Sequence, residues 1–148
     1  PSGSTNFVEG PLHAEDSICR NNVISAGEDA AIELSWVEDV RIYNNSIYRN
    51  DADGRGIRAI QKIGVVEIAN NLVRGQILIE EEGANPQIHH NVTGELDVYW
   101  TDPTSADLRL TEEATDALNG GVQLTDVTED FAGTPRGARP DVGAWESP

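Results

Sequence analysis

The sequence predicts an all-β solenoid: a parallel β-helix of about four to five stacked coils, with an irregular C-terminal closure. Three observations carry this prediction. A short polar turn motif recurs four times at steps of 23, 26 and 20 residues. A second segment with strand-type alternation recurs between its copies. No stretch sustains the 3.6-residue periodicity of a long amphipathic helix. Repeats of this length are the mark of solenoids, in which each unit buries its apolar face only against its neighbours.

The turn motif reads Cys19-Arg20-Asn21-Asn22-Val23-Ile24, Ile42-Tyr43-Asn44-Asn45-Ser46-Ile47, Ile68-Ala69-Asn70-Asn71-Leu72-Val73 and Ile88-His89-His90-Asn91-Val92-Thr93. An apolar residue, a sharp polar turn and a return to apolar residues describe strand, corner, strand. Asn suits the corner because it tolerates left-handed backbone and bonds to nearby main chain. The second Asn recurs in every copy, so Asn22, Asn45, Asn71 and Asn91 are expected to stack as an amide ladder. In such a ladder each buried side chain is satisfied by the next.

The second strand reads Ala31–Ser35, Gly56–Ile60, Gln76–Glu80 and Glu95–Tyr99. Alternation points Ile32/Leu34, Ile57/Ala59, Ile77/Ile79 and Leu96/Val98 inward. Cys19 aligns with Ile42, Ile68 and Ile88 and reads as a small core residue. The best helical candidate, Thr111 to Leu118, would make one or two turns before Asn119-Gly120-Gly121. The organisation expected is an N-terminal extension over 1–16, coils over 17–100, and a C-terminal coil and capping segment over 101–148.

Composition narrows the function. With 5% aromatic residues, the core has to be aliphatic. A net charge of −16 opposes nucleic-acid binding. No apolar run reaches the length of a membrane span, and no signal-peptide pattern opens the chain. The Pro-Ser-Gly-Ser start and the absence of Met suggest a processed or excised piece. Nine of the ten basic residues are Arg, Lys62 being the exception. A single cysteine excludes an internal disulfide framework.

The Asn-Asn coils are followed by Asp107-Leu108-Arg109-Leu110-Thr111, then Asp130-Phe131-Ala132-Gly133-Thr134-Pro135-Arg136, then Asp141-Val142-Gly143-Ala144-Trp145-Glu146. Over roughly residues 17 to 146 this series resembles the C-terminal end of secreted bacterial right-handed parallel β-helix proteins of the pectate-lyase-like superfamily. The resemblance implies an extracellular or cell-surface protein that acts on or binds polysaccharide. If it is an enzyme, it would be a lyase or glycoside hydrolase of the β-helix type. No lyase acid–base pair is matched residue by residue, so no catalytic residue is carried over.

The outer face of the second strand and the positions just after it supply the candidate carbohydrate-contact residues: Glu33, Arg58, Glu80, Asp97 and Tyr99 on the face, Trp36 and Trp100 after the strand. Carboxylates there suit acid–base work, and exposed aromatics can stack on sugar rings. The plainer reading is a solvated face with cross-coil ion pairs. Glu80-Glu81-Glu82 and Asn50-Asp51-Ala52-Asp53-Gly54 are faint calcium-loop candidates, more simply read as acidic turns. His89 and His90 are adjacent in a strand and should face opposite ways, and His13 is remote in sequence, so no metal site is expected. Asn44 and Asn91 sit in glycosylation sequons, but Asn91 is a ladder residue. The N-terminal end carries only Phe7, Val8 and Leu12 as capping material. Its first coil is therefore expected to be covered by upstream coils, another copy or another protein. The function expected is a polysaccharide-acting or polysaccharide-binding β-helix portion. The alternative is a structural or self-associating module such as a filament, adhesin or surface protein.

Overall fold

Strand pairing in the computed structural model, which describes residues 11–27, 29–61 and 63–148, is set by the repeat. Phe7, Val8 and Lys62 lie outside the described residues. The chain is an all-β parallel solenoid of about three turns. The first sheet stacks β1 (Ala14–Arg20), β4 (Val37–Tyr43), β7 (Val66–Ala69) and β10 (Gln87–His89). Across the Asn corner, the second stacks β2 (Val23–Ala26), β5 (Ser46–Arg49), β8 (Leu72–Arg74) and β11 (Val92–Gly94). The third holds only β3 (Ile32–Leu34), β6 (Arg55–Ala59) and β9 (Gln76–Ile79). All three are parallel and in register with the sequence repeats. Cys19, Ile42, Ile68 and Ile88 are aligned, as are Ile32, Ile57 and Ile77.

The inward columns form one aliphatic core in which Ile42, Ile47, Ile57, Ala59, Ile68 and Val73 are buried. Each such Ile contributes about 1.5–3 kcal/mol of hydrophobic stabilisation. Cys19 packs against this core, and burial pushes its thiol pKa up despite an opposing hydrogen bond from Asn22.

Two expectations fail at the fourth coil. Glu95–Tyr99 is not a strand. The chain turns out of the stack at Gly94, φ 123°, and Asp97–Tyr99 is a 3₁₀ turn. Leu96 is buried in a different cluster and Val98 is 64% exposed. The third sheet therefore stops one layer early, giving about three turns rather than four to five.

Residues 101–148 do not cap the coil end either. They run along the flank. Trp100–Asp102 (β12) and Asp107–Leu110 (β13) form an antiparallel ribbon. Leu96, Trp100, Leu108, Ala114, Ala117 and Val142 pack with Tyr48 and Leu72 of β5 and β8. The Thr111–Leu118 candidate is a series of turns, closed by Ala117 N–H and Leu118 N–H on the Ala114 carbonyl at 2.9 Å each.

Candidate functional site

The Asn ladder organises the corner. Asn22 Nδ2 donates to Asn45 Oδ1 at 2.8 Å, Asn45 Nδ2 to Asn71 Oδ1 at 2.9 Å, and Asn71 Nδ2 to Asn91 Oδ1 at 2.9 Å. Each oxygen also accepts the main-chain N–H of the preceding ladder Asn, at 3.0, 3.0 and 2.9 Å. Every amide thus points the same way, and the row has a polarity. Its last member, Asn91, has among the described residues no following side-chain carbonyl to receive its main-chain N–H. Among the described residues, Asn22 Oδ1 at the other end accepts no hydrogen bond.

The left-handed backbone lies not on the ladder Asn but on the residue before it: Asn21, Asn44, Asn70 and His90 have φ between 49° and 56°. This turns the first side chain outward, where it forms a second row that sequence reasoning missed. Asn21 Nδ2 donates to the Glu129 carbonyl at 2.7 Å and Asn70 Nδ2 to the Val122 carbonyl at 2.7 Å. Asn44 Nδ2 reaches the Asp141 and Gly143 carbonyls, each at 3.3 Å. The C-terminal segment is docked on this row.

The motifs that close the sequence lock the docked segment. The Arg136 guanidinium donates to Glu146 Oε2 (2.9 Å), the Asp141 carbonyl (3.1 Å), the Gly143 carbonyl (2.8 Å) and Asn21 Oδ1 (3.2 Å). Gly143 sits at φ 101°, and a Cβ there would lie 2.6 Å from Ser46 Oγ. Only glycine fits this approach.

Asp130 accepts N–H bonds from Ala132, Thr134 and Glu146 at 2.8, 2.7 and 2.9 Å. Burial acts to raise its pKa, but the N–H bonds outweigh it and hold the carboxyl below its ordinary value. Its stabilising contribution is therefore complete above the unfolded carboxylate pKa of about 4 and lost as pH falls through its lower folded value. Glu146 opposes this, because burial raises its pKa. Melting temperature is expected to fall on acidification below about pH 4, and less steeply in Asp130→Asn. Thermal melts of both proteins across this range check it.

The expected carbohydrate residues are not brought into one groove. Glu33, Arg58 and Glu80 share the outer face of the third sheet. Arg58 Nη1 bonds Glu33 Oε2 at 3.2 Å, and Arg58 Nε bonds Glu80. Trp36 lies at the corner after β3, its Nε1 donating to Gln61 Oε1 at 3.3 Å. Asp97 pairs instead with Arg74 of the second sheet at 2.9 Å. Tyr99 packs on the flank, its hydroxyl 3.2 Å from Asp116. Trp100 is 3% exposed and meets the Tyr48 ring edge-on at 5.9 Å. The split follows from the chain's exit at Gly94, which carries residues 95–100 away from the third sheet.

The faint calcium loops fare as follows. Glu80 is paired with Arg58 and so separated from Glu81 and Glu82. The Asn50–Gly54 turn closes over Arg49, whose guanidinium lies within 2.9 Å of where a Gly54 Cβ would be.

Two clusters on the outer face of the first sheet had no sequence signal. Arg41 is held by Asp16, Asp39 and Asp126 at 2.8, 3.5 and 3.3 Å. It borders a cleft of about 250 Å³ with Ser17, Ile18 and Arg20. One coil further on, Glu67 accepts Tyr43 Oη at 2.5 Å and bonds His89 Nε2 at 2.8 Å. Burial works to raise the Glu67 pKa, but these two bonds outweigh it and hold the carboxyl below its ordinary value. The same environment, burial first and the Glu67 carboxylate second, pushes the Tyr43 hydroxyl well above its ordinary pKa.

His89 and His90 do not face opposite ways. His90 sits at φ 52°, outside the strand, and its Nδ1 lies 3.0 Å from His89 Nδ1. The signal for this was in the repeat: His90 stands where the other turns carry Asn21, Asn44 and Asn70.

No family model matches the chain, and no curated protein or solved structure is detectably similar to it.

Proposed function

We propose that this chain is a structural solenoid module that associates end to end through its uncovered coil, with a second copy as the partner. The observation that carries this reading is the state of the last layer. Ile88 belongs to the inward column of Ile42 and Ile68, which are 1% and 0% exposed, yet is itself 43% exposed. Thr93, inward of Val73, is exposed as well. The C-terminal segment, lying along the flank, leaves this apolar end and the edges of β9, β10 and β11 open. An open strand edge is a template for pairing.

The ladder polarity supports a copy of this chain as the occupant. One end offers the Asn91 main-chain N–H and the other an acceptor at Asn22 Oδ1, so head-to-tail stacking would continue the main-chain bond of the ladder across the joint. The Asn91 side-chain amide already donates to the Ile68 and His89 carbonyls. A contact between two different surfaces builds open filaments unless the rotation between copies closes a ring. A net charge of −16 opposes such stacking at low salt, and screening relieves the opposition.

The solution mass is accordingly expected to rise with protein concentration, and more steeply at high ionic strength. Ile88→Glu should hold the chain monomeric by placing a charge in the joint. Light scattering on both proteins tests this. A monomer at every concentration and salt would overturn the reading. Polysaccharide binding would then move ahead, resting on the exposed Glu33–Arg58–Glu80 row with Trp36 at the adjoining corner. An extracellular or cell-surface location and right-handed winding belong to both readings as expectations from the resemblance.

A further inference from the structure

We propose that His89 and His90 form a two-nitrogen site for a divalent transition-metal ion of tetragonal preference, such as Cu(II). The two Nδ1 atoms face each other at 3.0 Å. An ion about 2.0–2.1 Å from each would subtend roughly 95° between them. That angle suits neighbouring positions of a tetragonal ion better than the wider angle of tetrahedral zinc. The pair converges only because His90 adopts left-handed backbone at the coil corner.

The surroundings prepare His89 as a ligand. Glu67 Oε1 lies 2.8 Å from His89 Nε2, and a carboxylate oxygen there takes the Nε2 proton as its hydrogen bond, which leaves Nδ1 as the ring nitrogen a metal would take. Tyr43 donates to the other Glu67 oxygen and fixes the carboxylate. A carboxylate bonded to the far nitrogen of a ligating imidazole is the recurring support of metal sites, setting both tautomer and ring direction. Without metal, one proton is shared in the 3.0 Å contact between the two Nδ1 atoms. Metal binding displaces that proton, leaving two nitrogen lone pairs for the ion.

His89 and His90 line an open cavity of about 330 Å³ with Ile77, Ile88, Asn91 and Thr93, which offers space for water ligands. Among the described residues no group of three or more His, Cys, Asp or Glu could hold a metal, so protein donors would supply two positions and water the rest.

The experiment is titration of the tag-free chain with Cu(II), followed by calorimetry and electron paramagnetic resonance. The wild type is expected to bind one equivalent with a spectrum showing two imidazole nitrogens. His90→Asn installs the residue that the other three turns carry, so folding should persist, as circular dichroism would verify. It should retain one nitrogen and bind about tenfold more weakly or worse, a step of about 1.4 kcal/mol. Glu67→Gln should weaken binding by roughly 10–100-fold while keeping both nitrogens. His13→Asn should change nothing. Absence of binding, or a two-nitrogen spectrum that survives in His90→Asn, would overturn the proposal. Because the cavity shares Ile88, Asn91 and Thr93 with the joint proposed above, the titration is run at a concentration and low salt at which light scattering gives a monomer. Association is then read by mass and the metal site by the copper spectrum, so either can fail alone.

Discussion

Replacing Asn71 with alanine is expected to cost about 2–5 kcal/mol of stability, as much as removing a large core side chain. Asn71 Oδ1 is the acceptor for both the Asn45 main-chain N–H and Asn45 Nδ2, at 3.0 and 2.9 Å. Both residues are fully buried, so water cannot replace the lost oxygen. Asn45 Nδ2 keeps the Cys19 carbonyl at 3.1 Å, but its main-chain N–H is left without a partner. Each unsatisfied buried group costs about 1–3 kcal/mol. The same truncation at Asn22 should cost about 1 kcal/mol or less. Asn22 is exposed, and Asn45 Oδ1 still accepts the Asn22 main-chain N–H at 3.0 Å. Urea denaturation of the two variants measures the contrast. Equal losses would mean that the ladder acts through corner geometry and not through buried amide satisfaction.

Arg136→Ala should destabilise by about 3–5 kcal/mol, the usual cost of breaking a buried ion pair from one side. The Arg136 and Glu146 side chains are 2% and 13% exposed. Removing the guanidinium leaves the Glu146 carboxylate without its cation, holding only the Asp141 main-chain N–H at 3.1 Å, and leaves the Asp141 and Gly143 carbonyls only the Asn44 amide, at 3.3 Å each. Arg136→Lys should recover only part of the loss, because an ammonium cannot span acceptors that now sit on two separate guanidinium nitrogens. Hydrogen exchange gives the diagnostic pattern. Protection should fall first in residues 119–147, while β5 and β8 retain theirs. Uniform loss across all strands would show that the flank and the coils open together.

What was legible in the sequence is what repeats. The ladder positions and the inward columns at Ile42, Ile57 and Ile68 recur at constant place in each unit, so one unit read correctly gives the others. The failures lie where neighbouring units differ. Glu95–Tyr99 alternates as its predecessors do, but alternation does not say whether the chain stays in the stack, and Gly94 takes it out. Trp100 looked like a counterpart of Trp36 by spacing. Its burial depends on Tyr48, more than fifty residues earlier, and on a flank that no local pattern describes. The outward Asn row was visible as residues and not as a function, because its acceptors come from residues 122 to 143. His89 and His90 were judged by strand alternation, although the repeat places His90 at the corner.

The segment docked along the flank also changes how the solenoid should come apart. A bare stack of coils behaves as a one-dimensional array, in which each unit senses only the next and unravelling can begin at either end and travel. Here one stretch of chain grips several layers at once. Glu129 and Arg136 hold Asn21 of the first layer. Residues 141–144 hold Asn44 and Ser46 of the second. Val122 and Gly143 hold Asn70 of the third. Loss of any one layer strains the ties to the others, so while the segment stays docked the coils are expected to open together and not layer by layer. The corresponding penalty is kinetic: these ties join residues about 50 to 115 apart in sequence, and such distant closures slow folding.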